Sequence, residues 1–145
     1  MKKTVLLIVA VIASLALYAQ SPVGNWKAST SWSISQNGKK EEFKITAEEK
    51  ACIARKIYHF NANGKITISG GDCPTDNGVG SDFSTWKTPG SGKITITWKD
   101  KDLDPETFQL EIIGNKMHWI KNYPDDPDVP NDKDFKQVVI EYVKA

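Results

Sequence analysis

From Lys93 to Trp119 the chain repeats one pattern three times, a period-2 alternation of apolar and polar side chains. Ile94, Ile96 and Trp98 alternate with Thr95, Thr97 and Lys99. Phe108, Leu110 and Ile112 alternate with Thr107, Gln109 and Glu111. A strand points successive side chains to opposite faces, whereas a helix cannot keep i, i+2 and i+4 together, so each run predicts a half-buried strand. Gly114-Asn115 then forms a two-residue turn, which sets Ile112 opposite Met117 and Leu110 opposite Trp119. All four point the same way. Turn register and apolar pattern agree, and such a chain must fold as an antiparallel sheet with one face buried.

The solution recurs elsewhere. "GKITIS" (64–69) returns as "GKITIT" (92–97) without a fixed repeat period, so each is a hairpin strand rather than a solenoid unit. "PGSG" (89–92) turns "FSTWK" into "KITITWK". "GNWKASTSWSIS" sets Trp26, Ala28, Thr30, Trp32 and Ile34 on one face. In "FKQVVIEYV" (135–143), Val138, Ile140 and Tyr142 make one apolar face and Phe135, Val139 and Val143 the other, so both are expected to be covered. "ITAEEKACIAR" reads as a short helix, with Thr46 and Glu49 as a capping box. Eight strands, one short helix and hairpin-length connections predict an all-β fold. An eight-stranded antiparallel up-and-down barrel leads, with a β-sandwich as the alternative.

Both cysteines flank one hairpin, "CIARKIYHFNANGKITISGGDC" (52–73). With Phe60 paired to Lys65 across "NANG", Tyr58 faces Thr67, Ile57 faces Ile68, and Cys52 falls level with Cys73. A disulfide between them is the expectation. The rival readings are a metal site, which would need ligands from His59 and His118 without any grouped spacing, and a redox pair, which usually shows as CxxC.

Export fits a disulfide. Lys2 and Lys3 precede an apolar run, Val5 to Leu17, broken only by Ser14, and "LYA" ends in a small residue. Residues 1–19 therefore read as a signal peptide, with an uncleaved anchor as the alternative, and residues 20–145 as one domain. The expected location is periplasmic or extracellular, with no stable membrane anchor once the signal is cleaved. Without Lys2 and Lys3, 17 of the 19 basic side chains remain against 18 acidic ones. Such a balance gives no long-range pull toward nucleic acid, and Arg55 is the sole arginine.

Gly24-Asn25-Trp26, opening the first strand, resembles the G-x-W signature of the lipocalins and the wider calycin superfamily. "STW" (84–86), a turn and "KITITW" resemble a recurring segment of the bacterial secreted lipocalin-like domain family, and the cysteine-flanked hairpin with its "FNANG" turn is similar to that family's. The resemblance spans roughly residues 24–143 by correspondence of strands and turns. It implies a calycin barrel and leaves the ligand open. Lipocalins often pack an arginine of the last strand over this tryptophan; here the end of the chain offers Lys144.

No catalytic constellation appears, so the expectation is a non-enzymatic protein without cofactor or metal. His59 and His118 are single histidines within strands and read as cross-strand residues. Asp100, Asp102, Asp104 and Glu111 have calcium-loop spacing, but Pro105 stands where the sharp turn needs glycine, so this stretch reads as a solvated loop. "PDDPDVPNDKD" (124–134) reads as a stiff, exposed loop. An eight-stranded barrel can hold packed side chains or one small ligand. The candidate lining is Trp32, Trp98, Phe108, Leu110, Met117 and Trp119, and the candidate partner a small hydrophobic molecule. The alternative is a filled barrel that binds protein or glycan through its outer face or loops.

Overall fold

The computed structural model describes residues 20–70, 83–90, 92–123 and 135–145. Residues 1–19, read above as a signal peptide, Cys73 and the acidic stretch 124–134 lie outside the described residues. Among them the strands are β1 (Gly24–Ser35), β2 (Lys40–Glu42), β3 (Ile57–Phe60), β4 (Ile66–Ser69), β5 (Phe83–Lys87), β6 (Lys93–Trp98), β7 (Glu106–Ile113), β8 (Lys116–Asn122) and β9 (Phe135–Lys144), with helix α1 (Ala47–Ile53) between β2 and β3.

The strands pair in the order β4-β3-β1-β9-β8-β7-β6-β5, all antiparallel. The short β2 pairs with β1 off this path; the other strands follow one another in chain order round the sheet, and β1 pairs with β9, which is the up-and-down topology of a barrel. Its two ends meet at a narrow seam, where Lys65 bridges Thr85 and the Trp86 amide donates to the Gly64 carbonyl at 2.8 Å. The barrel is nearly closed, and the sandwich alternative falls away. The end carrying the start of β1 and the Gly64 and Gly114 turns is termed the lower end below; α1 and the 99–105 loop mark the upper.

The β7–β8 hairpin has the expected register, Ile112 opposite Met117 and Leu110 opposite Trp119. The β3–β4 hairpin differs by one residue. Phe60 pairs with Ile66 and Tyr58 with Ile68. The reason lies in the turn: the Asn61 amide donates to the Lys65 carbonyl at 2.9 Å, closing a three-residue loop with Gly64 at φ +80° in place of a four-residue one. This register puts Tyr58, Phe60, Ile66 and Ile68 on one side, all in the core. Above it, a Cβ on Gly70 would lie 2.1 Å from the Arg55 carbonyl oxygen, so only glycine allows β4 to approach there.

The second difference is on β1. A bulge between Ala28 and Thr30 shifts its register on β9, with Ala28 opposite Tyr142 and Thr30 opposite Glu141. The extra residue, Ser29, turns the strand over. Trp26 and Ala28 face inward, but beyond the bulge Ser31 and Ser33 take the inward places and Thr30, Trp32 and Ile34 face out. The five residues expected on one face are therefore split between two.

β2 was not legible as a strand. Its charged, exposed residues carry no apolar period, and it forms through backbone pairing with Trp32–Ile34. The helix starts as expected: the Glu49 amide donates to Thr46 Oγ1 at 3.2 Å, and Glu49 Oε2 accepts from the Thr46 amide at 2.7 Å. α1 also corrects the picture of the cysteines. Cys52 sits in its last turn, buried, and not on the β3 strand; Cys73 lies outside the described residues.

Candidate functional site

The interior divides into two levels. At the lower level, side chains from opposite walls meet. Trp119 of β8, 1% exposed, has ring centroids of Tyr142 at 4.8 Å, Phe108 at 5.5 Å and Phe60 at 5.9 Å. Phe60 belongs to β3, three strands round the barrel from β8, so this contact crosses the interior. Tyr58 stands edge-on to Tyr142 at 5.6 Å, and burial, with Tyr58 beside it, pushes the Tyr142 phenol well above its usual range. Leu110, Met117, Ile94 and Ile96 complete a packed floor.

Below this floor, Trp26 closes the barrel. Its indole N–H donates to the Pro22 carbonyl at 2.7 Å, and Lys144 Nζ stands 5.3 Å from its ring centroid. Lysine thus occupies the place over the ring where the lipocalin resemblance leads one to expect arginine.

Above the floor the inward residues change character. β1 offers only the hydroxymethyl groups of Ser31 and Ser33. Ile68, Trp98, Val138 and Ile140 are half-buried instead of buried. Lys121 and Glu106 also point inward here, two residues along from Trp119 and Phe108 respectively. Their Nζ and Oε2 are 3.5 Å apart.

Of the six candidate lining residues, five face inward. Phe108, Leu110, Met117 and Trp119 are buried in the floor, and Trp98 belongs to the half-buried upper level. Trp32 does not line the interior, because the bulge at Ser29 turns it out. Its ring lies edge-on to His118 at 5.7 Å, and Lys40 Nζ stands 3.9 Å above it. Ile120 and Val139, paired in register with Trp32, are buried on this same outer face.

Beside Trp32 is an outer polar cluster that the sequence did not single out. Glu141, 7% exposed, accepts from Ser29 Oγ at 3.1 Å and Lys116 Nζ at 3.0 Å, and His118 Nε2 lies 3.0 Å from it. Burial alone pushes this carboxyl up, but the contacts from His118, Lys116 and Ser29 together outweigh it and hold the carboxyl below its usual range. Ser29 and His118 both bond to the carboxylate rather than to each other, so no nucleophile–base pair is formed. His59 is likewise a cross-strand link, with Asn25 Oδ1 and Ser69 Oγ each 2.8 Å from its ring nitrogens.

Asp100 and Asp102 form an Asx turn, the Asp102 amide donating to Asp100 Oδ1 at 3.0 Å. Among the described residues no three histidine, cysteine or acidic side chains group as metal ligands. No protein-family model, curated protein or solved structure matches this chain.

Proposed function

We propose that this chain is an exported, non-enzymatic binding protein that holds a small, largely apolar molecule in the upper level of its barrel. The observation that carries this reading is the contrast between levels. Below, large rings meet across the interior; above, Ser31 and Ser33 replace bulk on β1 while Ile68, Trp98 and Ile140 face inward and stay half-buried. Inward apolar side chains that stay half-buried are what a preformed ligand site offers. Lys144 over Trp26 adds support for the lipocalin-like resemblance.

The test is titration with an uncharged apolar dye, Nile red, on the wild type and single tryptophan variants, alongside native mass spectrometry of protein from its own source for co-purified molecules. Trp98→Ala should weaken dye binding about tenfold or more, the loss of one large apolar contact. A wild type silent to the dye, with no co-purified molecule, would overturn the reading.

One observation favours a second reading. Trp32 lies on the outer face between Lys40 and His118, an arrangement suited to stacking on a glycan ring or a protein side chain. If Trp32→Ala abolishes a macromolecular interaction while Trp98→Ala leaves it intact, the outer face is the working surface.

A disulfide between Cys52 and Cys73 belongs to the same proposal. Cys52 is 3% exposed, no described cysteine is free, and Cys73 is the other cysteine of the chain. Thiol titration of the unfolded, non-reduced protein should detect no thiol; two would refute the bond. Its removal should cost roughly 2–5 kcal/mol.

A further inference from the structure

Two inward hydroxyls stand out in the apolar interior. Tyr142 and Ser33 are each 3% exposed, and among the described residues neither hydroxyl has a hydrogen-bond partner. Buried polar groups are nearly always bonded, and one left unmet costs stability, so two of them inside one barrel call for a cause. Their placement supplies it. On β1, Ala28, Ser31 and Ser33 lie opposite Tyr142, Ile140 and Val138 of β9. From Ala28 to Ser33, β1 therefore sends inward nothing larger than a hydroxymethyl group, which leaves a groove along the wall above Trp26. Tyr142 stands at the foot of the groove and Ser33 near its top. The four residue steps from Tyr142 to Val138 make it about 13 Å long at 3.3 Å per residue.

We propose that the ligand is an elongated apolar molecule bearing a neutral oxygen, carbonyl or hydroxyl, which lies in this groove and hydrogen-bonds to Tyr142 at the foot or, entering the other way round, to Ser33 at the top. This rests on the interior-binding reading and names the polar chemistry of its ligand. The oxygen is neutral because of where it is received. Burial, with Tyr58 beside it, holds the Tyr142 phenol well above its usual range, so the hydroxyl stays protonated and donates. The same surroundings penalise any charge brought to them, and the flanking rings of Trp119 and Tyr58 carry none to offset it.

The experiment measures displacement of Nile red by butylbenzene, butyrophenone, 4-phenylbutanol and 4-phenylbutanoate, which share one skeleton. It uses the wild type, Tyr142→Phe and Ser33→Ala, each variant removing a hydroxyl and keeping the rest of the side chain. Tyr142→Phe should weaken butyrophenone and 4-phenylbutanol about fivefold or more relative to butylbenzene, the loss of one neutral hydrogen bond. The same selective loss in Ser33→Ala instead would also support the proposal and would fix the ligand's direction. In the wild type, 4-phenylbutanoate should bind more weakly than 4-phenylbutanol. Neither variant should lower the melting temperature of the ligand-free protein, since each removes a hydroxyl that the protein itself leaves unbonded.

If both variants keep the wild-type ratio of butyrophenone to butylbenzene affinity, or the carboxylate binds more tightly than the alcohol, the neutral oxygen is wrong and Nile red binding preserves the interior-binding reading. A markedly lower melting temperature in either variant would show that the protein holds that hydroxyl, and would overturn the proposal in the same way. If neither Nile red nor any of the phenylbutyl ligands binds, both readings fall together.

Discussion

Truncating Trp119 to alanine tests the packed floor directly. The indole is 1% exposed and touches rings from three other strands, β3, β7 and β9. A buried tryptophan removes roughly 150–250 Å² from water, worth about 4–6 kcal/mol at 25 cal/mol per Å² as an upper bound. Large aromatic-to-alanine changes in cores cost about 3–5 kcal/mol, which includes lost ring contacts and the cavity left behind. Because neighbours on opposite walls are held by the sheet, the site can collapse only slightly, so the upper part of that range applies, about 4–5 kcal/mol. Domains of this size are stable by roughly 5–15 kcal/mol, so the variant should sit near the edge of folding. Trp119→Phe keeps a ring in place and should cost less than about 3 kcal/mol. Urea unfolding followed by far-UV circular dichroism avoids the lost fluorophore, and the midpoint should move with the slope unchanged. A Trp119→Ala loss below about 2 kcal/mol with an unchanged slope would refute the reasoning, because it would mean that the rings do not pack across the barrel.

Two further outcomes are expected. The Glu141 carboxyl is held below its usual value of 4.5 in the folded state, so the stability it supplies is present above the unfolded-state pKa and is lost as pH falls through the lower, folded-state one. Glu141→Gln should flatten the acid limb of a stability–pH profile, and an unchanged profile would show that the cluster contributes nothing at low pH. Gly70→Ala should destabilise by about 2 kcal/mol or more in urea melts, since its φ of +106° is strained for any other residue and the new methyl would collide with the Arg55 carbonyl. A neutral substitution there would mean that β4 does not approach so closely.

Local chemistry was enough to settle several elements. The β7–β8 hairpin has the register that Gly114-Asn115 dictates, because a two-residue turn leaves one way to align two strands and the apolar alternation agreed with it. The capping box placed the start of α1, since a threonine and a glutamate three apart satisfy the first amides wherever the helix lies. Alternation on β6 and β7 likewise told which side chains point inward; the two apolar faces of β9 did not tell which one does, although Val139 is covered on the outer face.

Other features depended on neighbours far along the chain. "NANG" can close as a four-residue or a three-residue loop, and the packing of Tyr58, Phe60, Ile66 and Ile68 against the core selects the latter. Nothing in "WKASTSW" marks Ser29 as an extra residue. It becomes one because β1 runs against β9, where Glu141 accepts its hydroxyl, and that single bulge moves Trp32 from the expected lining to the outer face. The inward pairing of Lys121 with Glu106 was equally hidden. Each charge lies one step past the apolar stripe of its own strand; the β7–β8 register already sets them side by side on the inward face, but a charge there carries no apolar signal. Periodicity is a property of one strand, whereas bulges, seams and interior charges are set by what the partner strands bring to meet it.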